Sequence, residues 1–173
     1  SQALQKEESF KQDLMQRNGS ENIHVLHEEL SDVLIKHVTV KRNNRDLTKA
    51  IEAIKEIRER YQNICLDDKG SCLNQTYVFA NQFSYMLEIA LVITKGALLR
   101  DEFRGAHYKP ECPHRDDKNW LKTTIAAYQN TEPEISYKPV DLRYLKPIER
   151  DYSKAKKAIP EFENVPTNIV LPL

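Results

Sequence analysis

The sequence predicts a mainly α-helical protein: an up-and-down antiparallel bundle of three helices, followed by a small β-hairpin and an extended C-terminal tail. Three observations support this fold class. Three long segments place their apolar residues at helical spacing, and short connections join them. Beyond about residue 120 the helical period gives way to two strand-like runs, and after residue 140 prolines recur without a period. With 173 residues, the chain is long enough to bury a core.

A short helix is predicted ahead of the bundle. Residues 1–17 are helical in pattern, with Leu4, Phe10 and Leu14 as their few apolar anchors. So sparse a stripe needs a neighbouring helix in order to fold. A polar break follows, and Ser20 is expected to cap the next helix.

The first two bundle helices are predicted from Asn22 to about His37 and from Asn43 onward. Each carries one apolar stripe and a polar opposite face, as expected for a helix packed on a core. The predicted stripes are Ile23, Leu26, Leu30, Val33 and Leu34 in the first, and Leu47, Ala50, Ile51, Ile54, Ile57, Tyr61 and Ile64 in the second.

The third bundle helix, Leu73 to Arg100, is the most apolar segment of the chain. Its second half carries only Glu88 and Lys95 as charged residues, so we expect it to be buried on most sides. The same two charges argue against a membrane span, because they interrupt the apolar run. Gly96 inside this helix predicts the close approach of another backbone or ring.

The chain is therefore expected to divide near residue 120. Leu121–Tyr128 and Glu134–Val140 form the predicted hairpin, and the tail begins at Asp141. The predicted parts are a helical bundle over 1–120, which includes a loop over 100–120, and a hairpin with an extended tail over 121–173.

Composition excludes several classes of function. Lys+Arg and Asp+Glu number 26 each, so no net field attracts nucleic acid or an anionic bilayer. The three cysteines are odd in number and lack a familiar spacing, which favours a reducing compartment over a disulfide scaffold. A polar N-terminal stretch predicts no signal peptide. The four glycines lie too far apart for a G-x-G-x-x-G turn or a P-loop, so no dinucleotide site of the usual kind is expected.

The 100–120 loop is the most distinctive part of the sequence. It is densely charged and contains the only tryptophan, while Gly105, Pro110 and Pro113 specify its backbone path. We interpret it as a docking loop. Within it, Asp116 and Asp117 are placed to start a short helix, and the ring of Trp120 is expected to be buried against the end of the bundle as part of the core.

The residue types in this loop also suggest a catalytic and a metal-binding interpretation. Arg100 and Arg104, with Glu102, have the chemistry to polarise a carboxylate substrate, but ion pairs between the bundle and a neighbouring domain are favoured. A zinc site built from His107, Cys112 and His114 lacks a fourth ligand nearby, so no metal site is predicted.

The loop resembles a signature near the carboxy terminus of the flavoprotein subunits of succinate dehydrogenase and fumarate reductase. That pattern is R-x-E-S-R-G-A-H-x-x-x-D-[FY]-P-x-R-D-D-x-x-W. Phe103 replaces its serine, and Glu111–Cys112 replaces its acid–aromatic pair. A weaker resemblance extends from Asn22 to Ser153. The matching residues are Arg100, Glu102, Arg104, Gly105, Ala106, His107, Pro113, Arg115, Asp116, Asp117 and Trp120.

The resemblance implies a bundle similar to a spectrin repeat that braces the flavin domain of its own subunit and contributes to subunit contacts. It also implies that the whole subunit oxidises succinate to fumarate with covalently bound FAD and passes electrons to an iron–sulfur subunit. Such a subunit is held peripherally on the cytoplasmic, inner face of the cell membrane by its partners. Direct membrane insertion and nucleic-acid binding are not expected.

The family's catalytic motifs belong to its flavin and capping domains, and none of them occurs here. The resemblance therefore implies no catalytic, cofactor-binding or metal-binding residue in this chain, with FAD held by the full-length subunit. It implies a docking role for the loop. The predicted interdomain docking residues are Arg100, Glu102, Arg104, Gly105, His107, Arg115, Asp116, Asp117 and Trp120.

Alternatives remain open. The chain is also compatible with a free-standing helical adaptor that binds a partner through the 100–120 loop. A further alternative is the corresponding domain of a fumarate reductase or an L-aspartate oxidase. L-aspartate oxidases usually carry leucine where Ala106 stands, and their likeness covers only the first half of the motif, so they are disfavoured.

Overall fold

A computed structural model describes residues 1–129 and 131–148 of the chain. Within these ranges the backbone is mainly helical, with one two-stranded antiparallel sheet. The elements are α1 (Gln2–Gln16), α2 (Ile23–His37), α3 (Asn44–Tyr61), α4 (Gln75–Leu99), α5 (Asp117–Trp120), β1 (Lys122–Ala127) and β2 (Glu134–Pro139).

Helices α2, α3 and α4 form the predicted up-and-down antiparallel bundle. Arg60, near the end of α3, pairs with Glu21 just before α2 at 3.0 Å and with Glu29 in α2 at 2.5 Å. Tyr61, at the end of α3, donates its hydroxyl hydrogen to the carbonyl oxygen of Ala80 near the start of α4, at 2.9 Å. Consecutive helices therefore run in opposite directions, and the predicted fold class is confirmed.

The core is built from the predicted stripes. Phe83 is fully buried at its centre, and the rings of Tyr61 and His27 meet it edge-on. Helix α1 adds Leu14, which has no exposed surface, whereas the predicted anchor Leu4 is 57% exposed and that prediction was wrong. Burying each large apolar side chain stabilises the fold by roughly 1.5–3 kcal/mol relative to leaving it exposed.

Asparagine residues cap the three bundle helices. The side-chain oxygens of Asn22, Asn43 and Asn74 each accept a hydrogen bond from a backbone N–H of the first turn, at 2.7–2.9 Å. These bonds satisfy donors that the helix itself leaves unpaired. Ser20, the expected cap of α2, lies two residues too early, and its hydroxyl instead accepts from the amide of Asn63.

The turn between α1 and α2 packs closely on the segment after α3. The N–H of Gly19 donates to the carbonyl oxygen of Ile64 at 3.2 Å, and the N–H of Glu21 donates to that of Asn63 at 3.0 Å. A Cβ atom at Gly19 would lie 1.8 Å from the Asn63 oxygen. Glycine is required here because no side chain fits between the two backbones.

Helix α4 buries only one face, so the expectation of burial on most sides was wrong. Phe83, Leu87 and Leu91 face the core, while the outer face remains accessible. The prediction for Gly96 also fails, because the nearest atom to a Cβ built there is the methyl carbon of Thr124 in β1, at 3.9 Å. That is an ordinary van der Waals distance to a side chain, and neither a backbone nor a ring approaches.

Helix α4 is long and apolar enough to meet the length and composition of a membrane span, with a mean hydropathy of 1.3 in its most apolar window. Glu88 and Lys95 therefore do not exclude a span by composition alone. One such helix is weak support for a membrane protein, since core helices of soluble proteins pass the same test. About a third of that window, 33%, is buried inside the fold.

The hairpin strands lie within one residue of the predicted boundaries, and the hairpin packs beside α4. Its strands pair antiparallel from Lys122 opposite Pro139 to Ala127 opposite Glu134. Glu132, in the connection, is bound by Lys55 of α3 and by Lys95 of α4, the latter at 2.9 Å. These two ammonium groups lower the pKa of Glu132 to about 2. The hairpin and the helices share one compact unit, Ser1–Val140.

The remaining residues, Asp141–Leu173, form a separate unit. Its described part, 141–148, has no helix or strand. Arg143 pairs with Asp141 at 2.7 Å. The predicted extended tail beyond residue 148 lies outside the described residues.

We predict that Phe83→Ala lowers the free energy of unfolding of the 173-residue chain by about 3–5 kcal/mol, because it leaves a cavity among buried rings. Urea denaturation followed by far-ultraviolet circular dichroism measures the change. Tyr85→Ala is the matched control, since Tyr85 lies in the same helix but is 51% exposed. Equal destabilisation by the two variants would contradict the assignment of the core face.

Candidate functional site

The 100–120 loop begins where α4 ends, and Lys109 ties the two together. Its side chain has no exposed surface, and its ammonium donates to the carbonyl oxygens of Leu98 at 2.9 Å and Ala97 at 3.3 Å. Asp101 accepts the third bond at 2.7 Å. A buried positive charge thus satisfies carbonyls that the helix leaves unpaired and interacts favourably with the negative end of its dipole.

The carboxylate of Glu102 is the centre of the loop. Its side chain has no exposed surface. It accepts hydrogen bonds from Arg100 at 2.5 Å and from Arg104 at 2.7 and 2.9 Å, while the N–H of Asp116 lies 3.3 Å away. Burial of a carboxylate is tolerated because two guanidinium groups compensate its charge and fill its hydrogen-bonding capacity.

Arg104 extends this network to the start of α5. It binds Asp117 at 2.6 Å, and Asp117 also accepts two bonds from Arg115, at 2.6 and 2.7 Å. These arginines lower the pKa of Asp117 to about 2, with Arg115 contributing most. The side chain of Asp116 caps α5 by accepting from the N–H of Asn119 at 3.1 Å, which confirms the predicted helix start.

His107 connects the loop to the α2–α3 connection through both ring nitrogens. Nε2 lies 2.8 Å from the carbonyl oxygen of Arg100 and donates to it, so Nδ1 is the acceptor for Arg42 at 2.7 Å. This arrangement requires the neutral imidazole. Burial lowers the pKa of His107, and the positive charges of Arg42 and Lys109 act in the same direction against the opposing effect of the Arg100 carbonyl.

Arg42 in turn holds the end of α2. Its Nε atom donates to the carbonyl oxygens of Val38 at 2.7 Å and Thr39 at 2.9 Å. Its backbone N–H donates to the carbonyl oxygen of Tyr108 at 3.0 Å. Sequence reasoning missed Arg42 and Lys109, since neither belongs to a motif whose spacing indicates a partner.

Gly105 lies at the tip of a tight turn in the loop. Arg104 and His107 exchange two backbone hydrogen bonds of 3.0 Å across it. The φ angle of Gly105 is +59°, a left-handed conformation that favours glycine. The tip, with Gly105 and Ala106, is exposed.

Trp120 does not pack into the core of the bundle, so that prediction was wrong. The ring is half-buried and meets Tyr137 of β2 edge-on, with centroids 5.5 Å apart. The ammonium of Lys122 lies 4.4 Å from its centroid and the guanidinium of Arg100 lies 5.4 Å away. Phe103, which replaces the family's serine, packs edge-on against Tyr108.

The three residues considered as metal ligands do not converge. His107 is committed to Arg42 and Arg100, and His114 is exposed. Among residues 1–129 and 131–148, no group of three or more histidine, cysteine or acidic residues is placed to hold a metal ion. Cys112 is a free thiol, and burial raises its pKa.

The structure therefore brings most of the predicted docking residues into one internal network. Glu102 and Asp117 join the three arginines, and His107 joins them through the backbone of Arg100. These charges pair with one another within the chain, so the arrangement sets a loop conformation and does not present a free arginine to a substrate. Interdomain docking by these residues remains a prediction.

A helical bundle that ends in this arginine–carboxylate loop places the chain in a known family. It belongs to the C-terminal domains of fumarate reductase flavoproteins, whose family model matches residues 27–152. The chain is 45% identical over 157 residues to the succinate dehydrogenase flavoprotein subunit of Bacillus subtilis (strain 168). The matched region covers 90% of this chain and 27% of that protein.

Two further comparisons agree with the family. The chain is 35% identical over 152 residues to the fumarate reductase flavoprotein subunit of Helicobacter pylori (strain J99), which covers 85% of this chain and 21% of that protein. A solved structure of E. coli quinol fumarate reductase superposes with a TM-score of 0.78 at 26% identity, covering 82% of this chain and 25% of that one. The chain spans about a quarter of the length of these relatives.

We predict that Glu102→Gln lowers the free energy of unfolding of the 173-residue chain by roughly 3 kcal/mol, because it leaves two arginines without their buried counter-charge. Urea denaturation measures this change in the free energy of unfolding. Glu56→Gln, on the exposed face of α3, is the control and should change stability by less than about 0.5 kcal/mol. An unfolding midpoint unchanged in the Glu102 variant would contradict the central role of this carboxylate.

The bonding of His107 predicts a pH-dependent stability. Because its pKa is lowered in the folded state, the unfolded chain binds the proton more readily as the pH falls through about 6.5. The contribution of His107 to the free energy of unfolding is therefore fully present above that pH and is lost on acidification. His107→Gln should flatten the stability profile between about pH 7 and pH 5, measured by urea denaturation. The control variant His114→Gln should retain the wild-type slope, and a steep slope retained in His107→Gln would refute the assignment.

Proposed function

We propose that this chain is the C-terminal helical domain of a succinate dehydrogenase flavoprotein subunit, where it braces the flavin domain and contributes to subunit contacts. The observation that carries the proposal is the 45% identity to the Bacillus subtilis subunit across 90% of this chain. The loop motif supports it, since Arg100, Glu102 and Arg104 are matched in type and bound to one another.

The whole subunit, on this proposal, oxidises succinate to fumarate. FAD bound by the flavin domain supplies the hydride acceptor, and electrons leave through an iron–sulfur subunit. This chain has no glycine-rich dinucleotide turn in its sequence, so its own residues support that chemistry mechanically. The buried Glu102 and Lys109 hold the loop rigidly on the end of α4, which gives the neighbouring domain a defined surface.

The partners and location follow from the same proposal. The subunit associates with an iron–sulfur subunit and is held peripherally on the inner, cytoplasmic face of the cell membrane. The relatives are named as flavoprotein subunits, which supports membership of a larger assembly. The absence of a net charge supports protein partners over nucleic acid.

Fumarate reductase is the second candidate, favoured by the likeness to the Helicobacter pylori subunit and the E. coli enzyme. The same domain serves either direction of the reaction. The higher identity to the Bacillus subtilis protein favours succinate oxidation. A free-standing adaptor and an L-aspartate oxidase receive no comparable support. Ala106 and the Arg115–Asp117 run disfavour the L-aspartate oxidase.

The proposal predicts that the 173-residue chain, purified alone, is colourless and inactive. The complete subunit should show visible flavin absorbance and succinate-dependent dye reduction, because the flavin apparatus lies in the rest of the subunit. Assays of both proteins with succinate, fumarate and L-aspartate separate the candidates. Flavin bound to the 173-residue chain, or a complete subunit inactive with succinate, would overturn the proposal.

A further inference from the structure

The hairpin has one covered edge and one open edge. β1 packs beside α4, and the carbonyl oxygen of Lys122 on its outward side accepts a hydrogen bond from Arg100 at 2.6 Å. β2 is the outer strand, and within residues 1–129 and 131–148 no further strand pairs with it. An open strand edge is a template for pairing with another strand.

The hydrogen-bond pattern of the hairpin decides which backbone groups of β2 face outward. Pro139 has no N–H to give to β1, and the N–H of Val140 donates to the carbonyl oxygen of Leu121 at 3.5 Å. Hydrogen-bonded and non-hydrogen-bonded pairs alternate along an antiparallel ladder, so Ile135 and Tyr137 belong to non-hydrogen-bonded pairs with β1. The N–H and C=O groups of these two residues therefore point away from β1.

Two prolines bound this open edge. Pro133 and Pro139 occupy the next outward positions on either side, and neither has an N–H to donate. The outward donors of the strand are therefore the N–H groups of Ile135 and Tyr137. The segment reads Pro-Glu-Ile-Ser-Tyr-Lys-Pro, with Ser136 at its centre.

Two charges on β2 lack a counter-charge. Glu134 and Lys138 are exposed on the same face of the strand, because side chains four residues apart point to the same side of a sheet. The carboxylate of Glu134 accepts a hydrogen bond from the neutral amide of Gln129 at 3.3 Å. Neither Glu134 nor Lys138 forms an ion pair within the part of the chain that the structure describes. A second strand can therefore match both charges without breaking an existing ion pair.

We propose that the outward edge of β2 pairs antiparallel with the same edge of a second copy of this chain, about a two-fold axis at Ser136. This register places Ile135 of each copy opposite Tyr137 of the other, and each such pair exchanges two hydrogen bonds. The two hairpins then form one continuous sheet. The inference goes beyond the proposed function and rests on the residues of this chain alone.

Charge complementarity selects a second copy as the occupant and fixes the register. With the pairing centred on Ser136, Glu134 of each copy lies directly opposite Lys138 of the other, and unlike charges in this position stabilise a cross-strand pair. Centring the pairing on Ile135 or Tyr137 instead moves Glu134 and Lys138 out of opposition. An unrelated strand would need the same order of charges, which the chain's own strand already has.

Charge reversal tests the pairing in solution. We expect sedimentation equilibrium of the 173-residue chain to show a reversible dimer. Glu134→Lys and Lys138→Glu should each raise its Kd about tenfold, because each places like charges opposite one another. The double variant exchanges the two charges and should return the Kd to within about threefold of wild type. Glu52→Lys on the exposed face of α3 is the control and should leave the Kd unchanged.

A chain that stays monomeric at every concentration would overturn the inference. A double variant that dimerises as weakly as the single variants would also overturn it, because the charges would then not lie opposite one another.

A disulfide at the two-fold axis tests the register. In a non-hydrogen-bonded antiparallel pair the Cα atoms lie about 4.5 Å apart, which is within the range that a disulfide spans. Ser136→Cys should therefore link two copies through position 136 under mild oxidation, and mass spectrometry of the peptides identifies the bond. Thr123→Cys is the control, since it is exposed on the same face but lies on the inner strand β1. Its link between two copies should form at least tenfold more slowly.

Both cysteine variants are also made in the complete subunit, where we expect the same link through position 136. A link confined to the 173-residue chain, or equal linking at positions 136 and 123, would overturn the inference. Flavin absorbance and succinate-dependent dye reduction are recorded on the same subunit samples. An active, flavin-containing subunit without the link removes only this inference, whereas a linked subunit without flavin or activity removes only the proposed function.

Discussion

The buried carboxylate of Glu102 is the interaction on which the arrangement of the 100–120 loop depends. A negative charge with no exposed surface is stable only when its charge and hydrogen-bonding capacity are both compensated. Arg100 and Arg104 provide that compensation from the same segment, and Arg104 carries the link onward to Asp117. A loop with few apolar side chains thereby acquires one defined conformation through charge pairing.

The same loop also closes one end of the bundle. Lys109 occupies the C-terminal carbonyls of α4, and Arg42, held by His107, binds the carbonyl oxygens of Val38 and Thr39 directly after α2. Both helix ends are thus satisfied by positive groups whose positions depend on the loop. Residues that resemble a docking motif in the sequence therefore have a structural role inside this chain.

Membership of the flavoprotein family bears on the role of this domain. The chain spans about a quarter of the length of its relatives and has no glycine-rich phosphate-binding turn in its sequence, which agrees with the proposed role as a rigid support. Its own core, centred on Phe83, keeps the bundle folded, while the uncovered side of α4 has apolar area available for contact.

The sequence by itself determined the elements and the family. Helical periodicity and the strand-like runs on either side of residue 130 are local signals, so the bundle and the hairpin were predictable to within a few residues. The spacing from Arg100 to Trp120 was enough to identify the resemblance. Tertiary structure alone decided which side of α4 is buried, because a helix with so few polar residues has no polar face to indicate its orientation. It also decided the pairing of Arg42 with His107, which lie 65 residues apart and meet only because the α2–α3 connection and the loop occupy the same end of the bundle.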